Sequence, residues 1–177
     1  MANSSIITLL KRKIKSEIVN DPLIVKAFGS PDYDQDDLDW SGEDVGNNYI
    51  FTWNQNPETI TNQITFITLQ VNIKKYRDKW VIPSLEIWIY SHNGHMDLNS
   101  KEFPGIDSNR NDYLSQLLDE KFNGRTSIGT DDDLSKLNLI GELSLVSNTE
   151  SVFTKDFVCR RMIFETKDVN SSMCDRW

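Results

Sequence analysis

Between Ile67 and Ile89 the chain carries its strongest constraint on fold. Ile67, Leu69, Val71 and Ile73 point one way and Thr68, Gln70 and Asn72 the other, the period-two pattern of a half-buried strand. The charged run KKYRDK makes a turn, and Trp80 to Tyr90 returns with Leu85, Ile87 and Ile89 on one face. Two alternating runs joined by a short polar turn pair antiparallel, so the chain is built around a sheet with one apolar face.

Other segments supply what covers that face. Ser4 or Ser5 can cap a first helix whose apolar positions Ile6, Leu10, Ile14 and Ile18 recur every fourth residue. Lys11, Arg12, Lys13 and Lys15 lie off that stripe and make a basic patch. Asp21-Pro22 reads as a cap with proline at the first helical position, and Gly29 closes a short second helix. Residues 30–48, SPDYDQDDLDWSGEDVGNN, show no periodicity and read as an acidic loop, longer than most connections inside a domain. Tyr49 to Trp53 reads as a short strand and Asn54 to Asn62 as a polar turn around Pro57. Leu114, Leu117, Leu118 and Phe122 mark a helix stopped by Gly124, and the runs GELSLVS and KDFVCRRMIFETKD are strands. The order is α-α-β-β-β-α-β-β without an internal repeat. It implies a single α+β domain over 1–177, a mainly antiparallel twisted sheet flanked by helices, with residues 171–177 as a C-terminal tail.

Charge narrows the function. A net charge of -8 disfavours a surface that grips nucleic acid, which needs clustered Lys and Arg. It leaves room for DNA to slide past an acidic wall. Cys159 and Cys174 form no C-x-x-C pair, so a reducing compartment is expected. No apolar run approaches the roughly 18 residues of a spanning helix, and the N-terminus lacks a signal peptide's cleavage region. A soluble, cytosolic product without membrane partners is the expectation.

Candidate chemistry is sparse. His92 and His95 flank the turn dipeptide Asn93-Gly94, with Asp97 two residues on. Zinc catalysis needs a third ligand and an orienting shell, and this short pattern reads better as the exit of a strand. Asp32, Asp34, Asp36 and Glu43 fall at positions 1, 3, 5 and 12 of a calcium loop. Asp37 stands where the turn glycine belongs and Asp39 where an aliphatic residue is usual, so a solvated acidic loop is the simpler reading. GRTSIGT, Gly124 to Thr130, has phosphate-loop glycine spacing without the lysine and follows a helix rather than a strand. There is no G-x-S-x-G elbow, and neither cysteine has a histidine near it in sequence. Cys159 reads as a small core residue, and Arg160 and Arg161 fall on opposite faces of their strand. No constellation marks an enzyme, and no cofactor is expected.

The later motifs carry a resemblance. EIWIYSH (Glu86 to His92) is followed by R-x-D-Y-L-x-x-L-L from Arg110 to Leu118 and by G-x-L-x-L from Gly141 to Leu145. The run F-x-x-R-x-x-x-F-E-x-x-D-x-N follows from Phe157 to Asn170. With the capped first helix, D-P-x-I-x-x-x-x-G and YIFTW, the chain from about Ser5 to Asn170 resembles the tail-terminator (tail-completion) proteins of long-tailed bacteriophages and prophages. The acidic loop and SSMCDRW fall outside that pattern.

The resemblance implies a structural virion protein assembled in the host cytoplasm: a hexameric homo-oligomeric ring at the head-proximal end of the tail. Such a ring stops tail-tube polymerisation and joins the tail to the head-completion or stopper protein, with DNA passing unbound through its lumen. Arg110 and Asp112 at a helix start, Arg160 and Arg161 on the last strand, and Trp177 are the expected interface residues. A neighbouring connector protein (head-completion or stopper) is the alternative. A metal-dependent enzyme using His92, His95 and Asp97 and a calcium-binding module using Asp32 to Glu43 are the rivals from other classes.

Overall fold

A computed structural model of the chain describes residues 5–30, 43–77, 80–98, 100–129 and 137–170. The calcium register at Asp32, Asp34 and Asp36, most of the acidic loop, the tail 171–177 and Trp177 lie outside the described residues.

The fold is α+β, as the pattern of elements implies. Helices α1 (Ser5–Val19) and α2 (Pro22–Phe28) open it. In α1 the stripe Leu10, Ile14 and Ile18 is buried. The carboxylate of Asp21 accepts the N–H groups of Leu23 and Ile24 at 3.1 and 3.3 Å, satisfying donors that the first turn leaves orphaned. Gly29 ends α2 with φ 63°, a left-handed conformation in which a side chain is strained.

A third helix, α3 (Glu43–Tyr49), stands where the sequence reads as loop running into strand. Its sequence EDVGNNY contains a glycine and two asparagines, all poor helix formers. Tertiary packing overrides that preference: Val45 and Tyr49, one turn apart, are both buried. A Cβ on Gly46 would come within 2.9 Å of Val19 Cγ1, so the missing side chain lets α3 approach α1. Only Ile50–Phe51 (β1) of the expected YIFTW strand pairs in the sheet.

The main sheet then forms from β2 (Thr65–Arg77), β3 (Trp80–His92), β6 (Ile140–Val152) and β7 (Phe157–Asn170), with α4 (Arg110–Phe122) between β3 and β6 in sequence. KKYRDK is mostly strand rather than turn, since β2 runs to Arg77 and β3 begins at Trp80. Between α4 and β6 a two-stranded ribbon, β4 (Ser127–Ile128) with β5 (Leu137–Asn138), adds a feature the sequence does not announce. Strand order is β1-β2-β3-β7-β6; β1 runs parallel to β2 and the other neighbours are antiparallel.

Register sorts the side chains between two faces. Ile67 lies opposite Ile89, Leu69 opposite Ile87, and Val71 opposite Leu85, while Met162 and Phe164 continue the same face on β7. Helix α1 packs on β2 and α4 crosses β3, β7 and β6; Phe122 of α4 meets Phe164 edge to face. The opposite face carries an aromatic run in which Phe66 stacks on Tyr90 and Tyr90 on Trp88, with Phe157 against Phe66.

Candidate assembly surface

Arg110, expected at an interface, is used inside the subunit. It is 5% exposed, and its guanidinium donates to three backbone carbonyls: His95 at 2.7 Å, Ala27 at 2.6 Å and Asp97 at 3.0 Å. Its own N–H donates to the Met96 carbonyl at 2.8 Å. One cation thus ties the start of α4 to the last turn of α2 and to the loop after β3, and places positive charge at a helix C-terminus. Burial pulls its pKa down, with Glu102 and Asp97 acting in the opposite direction.

Asp112 and Arg160 meet across the helix–sheet contact. Arg160 Nη2 donates to the Asp112 carboxylate and to Glu150 Oε2 at 3.1 Å, while Nη1 donates to Asn148 Oδ1 at 3.1 Å. Asn109 caps α4, its Oδ1 accepting the Asp112 N–H at 2.9 Å, and its side-chain amide donates to the Asp112 carboxylate at 2.7 Å. Arg161 lies on the other face, as the alternation predicts. Its Nε and Nη2 donate to Glu86 Oε2 at 3.0 and 2.6 Å, and its guanidinium stacks over the Trp88 ring. Asn72 donates to the second oxygen of Glu86 at 2.8 Å, so a mostly buried carboxylate is held on both sides. The structure therefore brings Asp112 and Arg160 together, keeps Arg161 apart from them, and gives every described candidate a partner within the chain.

The histidine loop is a short 3-10 turn, Asn93–His95, at the exit of β3. His92 Nδ1 accepts the Gly94 N–H at 3.0 Å. His95 Nδ1 lies 2.9 Å from Thr65 Oγ1, which continues through Ser91 and Asn111 to the Val158 carbonyl. Burial, then the neighbouring Arg110 cation, pushes the His95 pKa down to about 4. Thus at neutral pH the ring is an uncharged strut between the loop and β2. Among the described residues no group of three His, Cys, Asp or Glu could hold a metal ion. Cys159 is buried beside Ser151, and burial followed by the nearby Cys159 raises the Tyr90 pKa to about 12.

The surface that sequence reasoning missed is the outer edge of β6. The first half of that edge is covered by the stretch after α4: Gly124 N–H donates to the Leu143 carbonyl, Leu143 N–H donates to the Arg125 carbonyl, and Leu145 N–H donates to Asn123 Oδ1. From Val146 to Val152 no described residue pairs with it. Val146 (53%), Val152 (79%) and Phe153 (45%) are among the most exposed large apolar side chains of the described residues. An unpaired strand edge bordered by exposed apolar groups is a ready template for another chain. The apolar run GELSLVS points to a strand ending near Ser147, because the polar stretch SNTES breaks the alternation. Hairpin pairing with β7 carries the strand on to Val152.

No curated protein matches the chain. A family model described as YomW, a phage or prophage-type family, matches residues 3–166. The chain is therefore a phage-associated protein and belongs to the YomW family.

Proposed function

We propose that the chain is a structural virion protein of the phage neck. It forms a homo-oligomeric ring, a hexamer, at the head-proximal end of the tail, ends tail-tube polymerisation and joins the tail to the head-completion or stopper protein. Its work is done by surfaces, without catalysis or cofactor. The observation that carries this reading is the open stretch of β6 with Val146, Val152 and Phe153 beside it. A closed ring requires contacts between unlike surfaces of successive subunits, and an edge strand on a rigid sheet supplies one such surface. The phage-type family and the tail-terminator resemblance support the same reading. A net charge of -8 suits a lumen through which DNA slides without sticking.

The experiment is electron microscopy of particles made after the gene is deleted from its phage. Full heads beside unattached tails of uncontrolled length are expected. Tails of normal length beside heads that lose their DNA would assign the protein to the connector instead, and normally joined virions would overturn both readings.

A further inference from the structure

We infer that, before it is incorporated, the protein pairs with a second copy of itself through the open edge of β6, about a two-fold axis at Thr149. The inference rests on the reading of β6 as an assembly edge, not on which structure is finally assembled.

The stretch left open reads Val146-Ser147-Asn148-Thr149-Glu150-Ser151-Val152, close to a palindrome. An antiparallel pair related by a two-fold axis sets each residue against its mirror position. About Thr149, valine then meets valine, serine meets serine, and Asn148 meets the second copy's Glu150. Like charges are kept apart, which any register that opposes Glu150 to itself would not achieve.

The backbone agrees with this register. Phe153 N–H donates to the Phe157 carbonyl, so by the alternation of an antiparallel ladder Ser151 and Thr149 also turn their backbone groups toward β7. Those of Val152, Glu150 and Asn148 turn outward. Opposing Asn148 to Glu150 across the axis makes two hydrogen-bonded pairs, with Thr149 facing its mate in the close, non-bonded position. Side chains match as well. Arg160 occupies Asn148 Oδ1 and Glu150 Oε2, leaving the Asn148 amide as donor and Glu150 Oε1 as acceptor for each other across the interface. Val146 and Val152, both exposed in the single chain, come to the two ends of the pair, Val146 within the irregularity between Leu145 and Ser147.

Such a dimer hides the edge read above as an assembly contact, and it must open before that contact can form. Sedimentation equilibrium of the full chain is expected to show a dimer at about 100 µM, where even a weak Kd in the micromolar range is visible. Asn148→Asp keeps an acceptor for Arg160 but opposes two carboxylates across each pair, and should weaken the dimer tenfold or more. Adding Glu150→Gln should restore it. Thr149→Cys places two thiols on the axis, where Cα atoms lie about 4.5 Å apart, and should yield a covalent dimer on mild oxidation. Val152→Cys, roughly 20 Å from its own mate in this register, should not. A chain that stays monomeric, or a dimer indifferent to Asn148→Asp and not trapped by Thr149→Cys, would overturn the inference. In either case the gene-deletion phenotype would still decide the neck-ring reading separately.

Discussion

Replacing Arg110 by alanine tests whether this arginine is an internal clasp or a contact residue. Its guanidinium serves carbonyls on two separate segments, Ala27 in α2 and His95 and Asp97 after β3, at 2.6–3.0 Å. Leaving one buried acceptor unsatisfied costs about 1–3 kcal/mol. The three carbonyls are neighbours and can relax together or recruit water, so their sum overstates the loss, and about 3–5 kcal/mol is expected. With a urea slope of roughly 2 kcal/mol/M, the unfolding midpoint should fall by about 2 M. Arg110→Lys should recover only part of this, because an ammonium is a point charge without the planar fork. Gly29 supplies an internal control: a Cβ there would stand 2.5 Å from Arg110 Nη1, at φ 63°. Gly29→Ala therefore strains both the backbone and the clasp in the natural chain, but only the backbone once Arg110 is alanine. A double-mutant cycle should show coupling of about 1 kcal/mol or more. A loss below about 1 kcal/mol for Arg110→Ala, with no coupling, would refute the clasp and return Arg110 to the surface chemistry expected from sequence.

Further perturbations follow from the same contacts. His95 is held neutral in the fold, so stability should be full above its ordinary pKa of 6.5 and fall as the pH drops toward about 4. The ring is only partly buried, so solvent screening reduces the expected loss to about 1–2 kcal/mol; His95→Asn should show a smaller fall in urea midpoint between pH 7 and 5 than the natural chain. Arg161→Ala leaves the Glu86 carboxylate with Asn72 as its remaining side-chain donor. Because Arg161 is 38% exposed, a cost of about 1–2 kcal/mol is expected by chemical denaturation, and Glu86→Gln in that background should recover part of it. Gly46→Leu should force α3 away from Val19 and cost about 1–3 kcal/mol, read as a lower midpoint; an unchanged midpoint would show that the helices can separate freely.

The sequence by itself determined the elements whose signal is local. Alternation gave β2 and β3 their apolar face; the i+4 stripe, the Asp21-Pro22 start and Gly29 marked the first two helices; the leucines before Gly124 marked α4. These patterns reside in neighbouring residues, where backbone geometry alone dictates which side chains share a face. Tertiary structure decided the rest. EDVGNNY is a helix because Val45 and Tyr49 find the core and Gly46 admits α1, not because its residues favour one. β7 lies between β3 and β6, so the strand earlier in sequence became the edge, and chain order does not encode that choice. Arg110 was legible as a charge at a helix start, yet its role comes from Ala27, 83 residues away, whose carbonyl no local pattern could assign to it. A half-polar strand such as SNTES becomes an open edge only once one side is paired and the other is not, and that asymmetry exists only in the folded sheet.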